Sequence, residues 1–244
     1  MDPINQLKAS ILAQNLPHPS TNFLNSLINA RSPPPMPSLV ATAKARLLAA
    51  DLTSSAIVNT SAIQSFPPDA ESTESREKWL PRPVHVQVLD IENLTLSRWE
   101  QVEEMEAVAR GETTRGREVI RVTAEDDDEN NENQTQRPGG ARNTAGPKPV
   151  GKNATHKLVL QDCKGTKIYA MELRRHDSIG VGKTQIGEKI LLKAGTVIAR
   201  GMVLLEPDKC IMLGGKVEAW QKAWVDGRLT RLKEEIQQNE RQRS

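Results

Sequence analysis

Apolar residues recur every three or four positions through the first fifty residues and every second position from Val84 onward, and a polar stretch at 124–154 carries almost none. The first pattern predicts helices. Ile4, Leu7, Ile11 and Leu12 share one helical face that ends before Pro17, and Ser20 is placed to cap a second helix burying Phe23, Leu24, Leu27 and Ile28. SPPPMP at 32–37 breaks the chain, and a third helix from about Ser38 carries Val40, Ala43, Leu47 and Leu48. Residues 1–66 are therefore expected to form a three-helix bundle, close to the lower size limit for folding alone, so it should lean on something else. The polar, proline-bounded stretch 67–82 is predicted to be a linker.

From Val84 the period changes to two. Val84, Val86 and Val88 alternate with His85, Gln87 and Leu89, predicting a first strand that ends near Leu94. Ser97 and Glu100 have the spacing of a capping box, opening a helix with Trp99, Val102, Met105 and Ala109 that Gly111 should stop. Residues 119–123 read as extended. Beyond the polar stretch, 157–161 (KLVLQ) and 166–173 flank a turn containing Asp162 and Gly165, and 189–193, 196–199, 202–205 and 209–213 are further strand candidates. Five or six short strands within 83–214 fit a small closed barrel better than an open sheet. The tail 215–244 reads as a helix with Trp220, Trp224, Leu229, Leu232 and Ile236 near one side and Gly227 as its weak point. The expected class is α+β, with 124–154 a disordered insertion: unstructured connections beyond about 12 to 15 residues are uncommon inside a domain.

Composition narrows the chemistry. A formal charge of +2 on 244 residues is too small for general nucleic-acid binding, which needs many phosphates neutralised. Aromatic residues make up 3% of the chain, so few flat faces exist for stacking bases. Cys163 and Cys210, in a chain without a recognisable signal peptide or bilayer-spanning run, are expected to be reduced core thiols in an intracellular compartment. His18, His85, His156 and His176 are too scattered for zinc spacing, and the acidic run 125–132 reads as a solvated segment, so no metal or cofactor is expected. The sequons at Asn59, Asn93, Asn133 and Asn153 carry little weight without a secretory route.

GVGKT at 180–184 has the ending of a phosphate-binding loop. Such a loop needs glycine five positions before Gly182, where Asp177 stands, and Gly187 interrupts any following helix. The stretch is read instead as a flexible loop before the Lys189 strand. No nucleophile elbow or acid-base pair appears elsewhere, and no enzymatic activity is expected.

MVLLEPDKCIMLGGKVEAW at 202–220, together with GEKIL at 187–191 and LVLQD at 158–162, resembles the amino-terminal region of the RecQ-mediated genome instability protein family. The resemblance covers most of the chain, in order: helical bundle, linker, an opening strand such as VHVQVLDIENL, a helix, a polar insertion and the leucine-rich strand running into Leu-Gly-Gly. It implies an oligonucleotide/oligosaccharide-binding (OB) barrel used to bind protein, with a type IA topoisomerase III and, through it, a RecQ-family helicase as partners. It further implies a nuclear role in decatenation and double Holliday junction dissolution, with the insertion entering the topoisomerase gate. The second barrel of longer animal members is expected to have no counterpart in this chain.

Under that resemblance, Lys189 is expected to dock the partner from the start of a strand where its head can leave the barrel surface. Pro147, Lys148 and Pro149 are the other partner-binding candidates. Within the insertion Glu125, Asp126, Asp127, Asp128, Glu129 and Glu132 precede Arg137, Arg142, Lys148 and Lys152, and the basic half supplies the DNA-contact candidates. Tyr169 is the only aromatic residue expected on the strands that face the usual OB groove, which favours a protein scaffold. The alternative is an independent single-stranded nucleic-acid binder, with tight, salt-sensitive binding by the chain alone.

Overall fold

A computed structural model describes residues 2–29, 34–111 and 154–243. The expected extended run 119–123 and nearly all of the insertion lie outside them. The described residues divide into a unit of 1–95 with 153–228 and a unit of 96–152 with 229–244.

In the first unit, α1 (Pro3–Leu12), α2 (Thr21–Ile28) and α3 (Met36–Ala49) bury Leu7, Ile11, Phe23, Leu24, Leu27, Leu39, Ala43 and Leu47 against one another. Local chemistry sets the helix starts. Asp2 caps α1, and the Ser20 hydroxyl accepts from Phe23 N at 3.2 Å as expected. α3 starts two residues earlier than anticipated because Pro35 and Pro37 supply the fixed φ suited to a first turn.

Eight strands form a curled, OB-like sheet: β1 (Lys78–Trp79), β2 (Val84–Asn93), β3 (His156–Asp162), β4 (Lys167–Glu172), β5 (Lys189–Leu192), β6 (Val197–Ala199), β7 (Met202–Leu205) and β8 (Cys210–Gly214). Their hydrogen-bonded order is β1-β6-β7-β4-β3-β2-β5-β8, antiparallel except between β4 and β7. The order is linear, yet β5 and β6 are halves of one run and β7 and β8 of the next. This interrupted hairpin meets β4 through β7 and β2 through β5, which curls the sheet on itself. At the interruption Lys193 N donates to Lys209 O at 2.8 Å, and the buried Thr196 hydroxyl donates to Lys193 O. The four pieces of the two broken runs coincide with strand candidates named from the sequence, and the strand that no candidate covered is β1, from the stretch read as a linker.

That stretch packs. Ala70 and Leu80 from it, and Phe66 from the end of the segment assigned to the bundle, lie in the barrel core with Val84, Val86, Val88, Leu158, Leu160, Ile190, Leu192, Val203 and Leu205. β1 covers β6, and its two-residue length with Pro81 just beyond leaves little free edge for strand addition.

The bundle is fastened to the barrel. Cys163 and Leu213 pack into the helical core, and His85 Nε2 lies 2.9 Å from Asn15 O. Both cysteines are free and buried, as expected, and burial raises each thiol pKa, that of Cys210 to about 11. Gly215 has φ +86, and a Cβ there would lie 2.4 Å from Leu48 O, a backbone atom that cannot swing away. Gly215→Ala is expected to cost about 2 kcal/mol in urea unfolding, the scale of a strained backbone position; an unchanged midpoint would show that the two parts separate freely.

In the second unit α4 (Arg98–Ala109) opens on the expected capping box. The Ser97 hydroxyl accepts from Glu100 N, and Ser97 N donates to the Glu100 carboxylate at 2.8 Å. Gly111 follows the helix with φ +75. Val102 packs with Leu232 and Ile236 of α5 (Glu218–Arg243), and Arg98–Glu235 and Lys233–Glu106 ion pairs flank them. α5 passes through Gly227 without a break. Its first part belongs to the first unit, where Trp220 and Trp224 pack on the barrel core and Trp224 Nε1 donates to Asp90 Oδ1 at 2.5 Å.

Candidate protein-docking surface

Pro147, Lys148, Pro149, Arg137, Arg142 and Lys152 lie outside the described residues. Lys189 does not, and the expectation for it is corrected. Its head group does not leave the barrel: the residue is 0% exposed, and Nζ donates to Gly187 O at 2.6 Å. Beside it Gln87 Nε2 donates to Asp51 Oδ1 at 2.7 Å and to Gln161 Oε1 at 2.9 Å, while Gln87 Oε1 accepts from Leu52 N. The chain leaving α3 covers this side of the sheet, so an outward-facing strand position becomes an interior one. Burial lowers the Lys189 pKa from 10.5 to about 8, against the pull of the Asp51 carboxylate. Burial works to raise the Asp51 pKa, but hydrogen bonds from Gln87 and Thr53 outweigh it and the net shift is downward. Lys189 thus belongs to the polar junction between bundle and barrel.

The 180–184 stretch is tied rather than flexible. Gly180 N donates to Thr184 Oγ1, and Lys183 N and Thr184 N both donate to Gly180 O. Those amides are therefore engaged within the turn and cannot wrap a phosphate, and buried Ile179 and Ile186 anchor the segment at its two sides.

Glu172, at the end of β4, organises the start of β3. Its Oε2 accepts from His156 N at 2.9 Å and lies 2.7 Å from His156 Nδ1, while Oε1 accepts from His176 N. Arg175 adds a hydrogen bond to Ala154 O. This cluster is enclosed, with His156 at 0% exposure, and it fixes the start of β3 rather than offering a site to solvent.

The accessible surface is the outer face of β3, β4 and β7. Alternation along β4 buries Ile168, Ala170 and Glu172 and turns Lys167, Tyr169 and Met171 outward. Register places Val159 beside Tyr169 and Tyr169 beside Met202, with Lys157 beside Met171 and Met171 beside Leu204 in the next row. Ala199 extends the first row beyond Met202. Tyr169 is 53% exposed and Leu173, one step past β4, is 54% exposed. Lys157 Nζ sits 5.6 Å from the centre of the Tyr169 ring and also pairs with Glu92 at 2.6 Å.

Tyr169 was legible as the aromatic of this face. Met171, Leu173, Met202 and Leu204 were legible only as strand residues, because MVLL is apolar at every position and its period does not say which side meets solvent. Tyr169 and Leu173 are exposed and Met171, Met202 and Leu204 are half-buried beside them; apolar area of this kind makes the face a candidate interaction surface, and an aromatic ring among methionines suits a protein contact.

Comparison with known proteins agrees with this architecture. Residues 66–228 match the family described as RMI1, N-terminal OB-fold domain, and residues 11–55 match RMI1, N-terminal helical domain. The RecQ-mediated genome instability protein 1 of Schizosaccharomyces pombe is 24% identical over 144 residues, an alignment that spans 59% of this chain and 60% of that protein. The OB-fold match covers more than half of the chain, and it takes in all eight strands and the first turns of α5: this protein belongs to the RMI1 N-terminal OB-fold family.

Proposed function

We propose that the chain is a non-catalytic accessory subunit of a complex between a type IA topoisomerase III and a RecQ-family helicase. It acts in the nucleus, where the complex decatenates DNA and dissolves double Holliday junctions. The observation that carries this reading is family membership extending over both the helical and the barrel regions, and the exposed apolar sheet face supports it. The barrel is the rigid part that grips the topoisomerase, and the insertion at 124–154 supplies contacts to the enzyme's DNA gate. A bound subunit shifts a gate equilibrium only by its differential affinity for the open and closed states. A preference of about 1.4 kcal/mol changes their ratio tenfold.

Co-expression with the topoisomerase III of the same organism is expected to give one co-eluting species in size-exclusion chromatography. Replacing residues 127–152 by a short Gly/Ser turn is expected to preserve co-elution and to reduce the stimulation of decatenation. Separate elution of the parent chain would remove the reading, and full stimulation by the shortened chain would remove the insertion's part in it.

A further inference from the structure

The outer face of β3, β4 and β7 has a chemical polarity along the strands, and this deepens the reading above by naming what the surface recognises. Lys164 and Lys167 lie at and just past the β3–β4 turn and are exposed. β4 and β7 run parallel with Tyr169 beside Met202. Arg200, also exposed, lies in the turn between β6 and β7, two residues before Met202. None of Lys164, Lys167 and Arg200 makes an ion pair among the described residues. At the opposite end, beyond Leu173, Arg174 is held by Glu206 and Asp208. One end of the face therefore presents cations without an ion pair among the described residues, the middle is largely apolar, and at the far end Arg174 is matched by two carboxylates.

We propose that this face docks a protein surface in which an apolar patch is flanked on one side by carboxylates. The apolar patch covers Tyr169, Met171, Met202, Leu204 and Leu173, and the carboxylates meet Lys164, Lys167 and Arg200. The inference rests on the barrel being a partner-binding scaffold. Charge complementarity selects an acidic flank, since an approaching cation would be repelled by three unpaired positive groups. Two features favour protein over a nucleic-acid strand. The two exposed rings of the sheet face, Tyr169 on β4 and Trp79 on β1, stand three strands apart, and one side of Tyr169 is taken by Lys157, which leaves a poor platform for stacking successive bases. The flexible methionines and leucines around that ring offer apolar area that a phosphate backbone does not fill.

The test uses the full chain and the topoisomerase III of the same organism, with affinity measured by titration calorimetry at two salt concentrations. Tyr169→Glu and Met171→Glu are each expected to weaken binding by about thirty-fold or more, the loss typical of a central interface residue. Lys167→Glu is expected to weaken it by about tenfold and to flatten its salt dependence, as for a lost rim charge. Unaltered circular dichroism and melting temperature show that these outward positions leave the fold intact. If the parent binds and all three variants bind equally well, the docking face is elsewhere while the accessory-subunit reading stands. If the parent fails to bind, that reading itself falls. Anisotropy with a fluorescent single-stranded oligonucleotide completes the test: tight binding by the parent that the same variants abolish, with topoisomerase affinity unchanged, would assign the face to nucleic acid and overturn the proposal.

Discussion

Asp162→Ala is expected to lower the unfolding free energy by about 3 to 5 kcal/mol, a large part of the 5 to 15 kcal/mol typical of a domain. Asp162 is 0% exposed and its two oxygens serve three backbone amides. Oδ2 accepts from Phe66 N at 2.9 Å, and Oδ1 accepts from Lys164 N and Thr166 N at 2.9 Å each. The second pair shapes the β3–β4 turn. The first reaches back across nearly a hundred residues and pins the end of the helical segment to the barrel. Alanine leaves all three donors without this acceptor, and a buried donor left unsatisfied costs about 1 to 3 kcal/mol. Phe66 N, the most enclosed, takes the full penalty, while the turn amides recover part of it from water. Asp162→Asn keeps one acceptor oxygen and is expected to lose about 1 to 2 kcal/mol. Urea unfolding followed by tryptophan fluorescence reads the series, because Trp220 and Trp224 pack on the core that loosens. A loss below about 1 kcal/mol for alanine would mean that the three amides find other acceptors once the carboxylate is gone.

What could be read from the sequence was local. The Ser20 cap, the Ser97 and Glu100 capping box and the turn with Asp162 and Gly165 each depend on residues within four positions of one another, and each has the expected hydrogen bonds. Distant pairings were less legible. Phe66, Ala70 and Leu80 look like scattered residues in a polar stretch, and only the barrel core they enter explains them. Asp162 was legible as a turn former, but its bond to Phe66 N was not, since nothing near either residue signals the other. Lys189 was misplaced for the same reason: a strand start was expected to let its head leave the barrel surface, and the chain after α3 covers that side. The docking face was half legible. Tyr169 stands out in a chain poor in aromatics, whereas the apolar positions around it become a surface only once the β4 and β7 register is known.

Lys189 makes the stability of the protein rise as pH increases from about 8, in a window that the two buried thiols oppose at its upper end. Its folded pKa is lowered to about 8 from 10.5. Below pH 8 both the folded and unfolded chains carry the proton, and the cost of burying the charge is fully present. Between 8 and 10.5 the unfolded chain binds more protons than the folded one, so the unfolding free energy increases with pH. The whole effect is about 3 kcal/mol, at about 1.4 kcal/mol per pKa unit. Cys210 works the other way, because its folded pKa is raised from 9.0 to about 11 and stability is lost as pH rises between those values. The range from pH 8 to 9 is therefore where Lys189 dominates. Lys189→Met keeps length and removes the charge while leaving Cys210 in place, so the difference between parent and variant isolates the lysine. At pH 7 the variant gains from the absent buried charge and loses the bond to Gly187 O, leaving it within about 2 kcal/mol of the parent. From pH 7 to 9 the parent is expected to gain about 1 kcal/mol on the variant, measured by urea unfolding at each pH. Parallel curves would mean that water reaches the ammonium and that the junction between Asp51, Gln87 and Lys189 opens in solution.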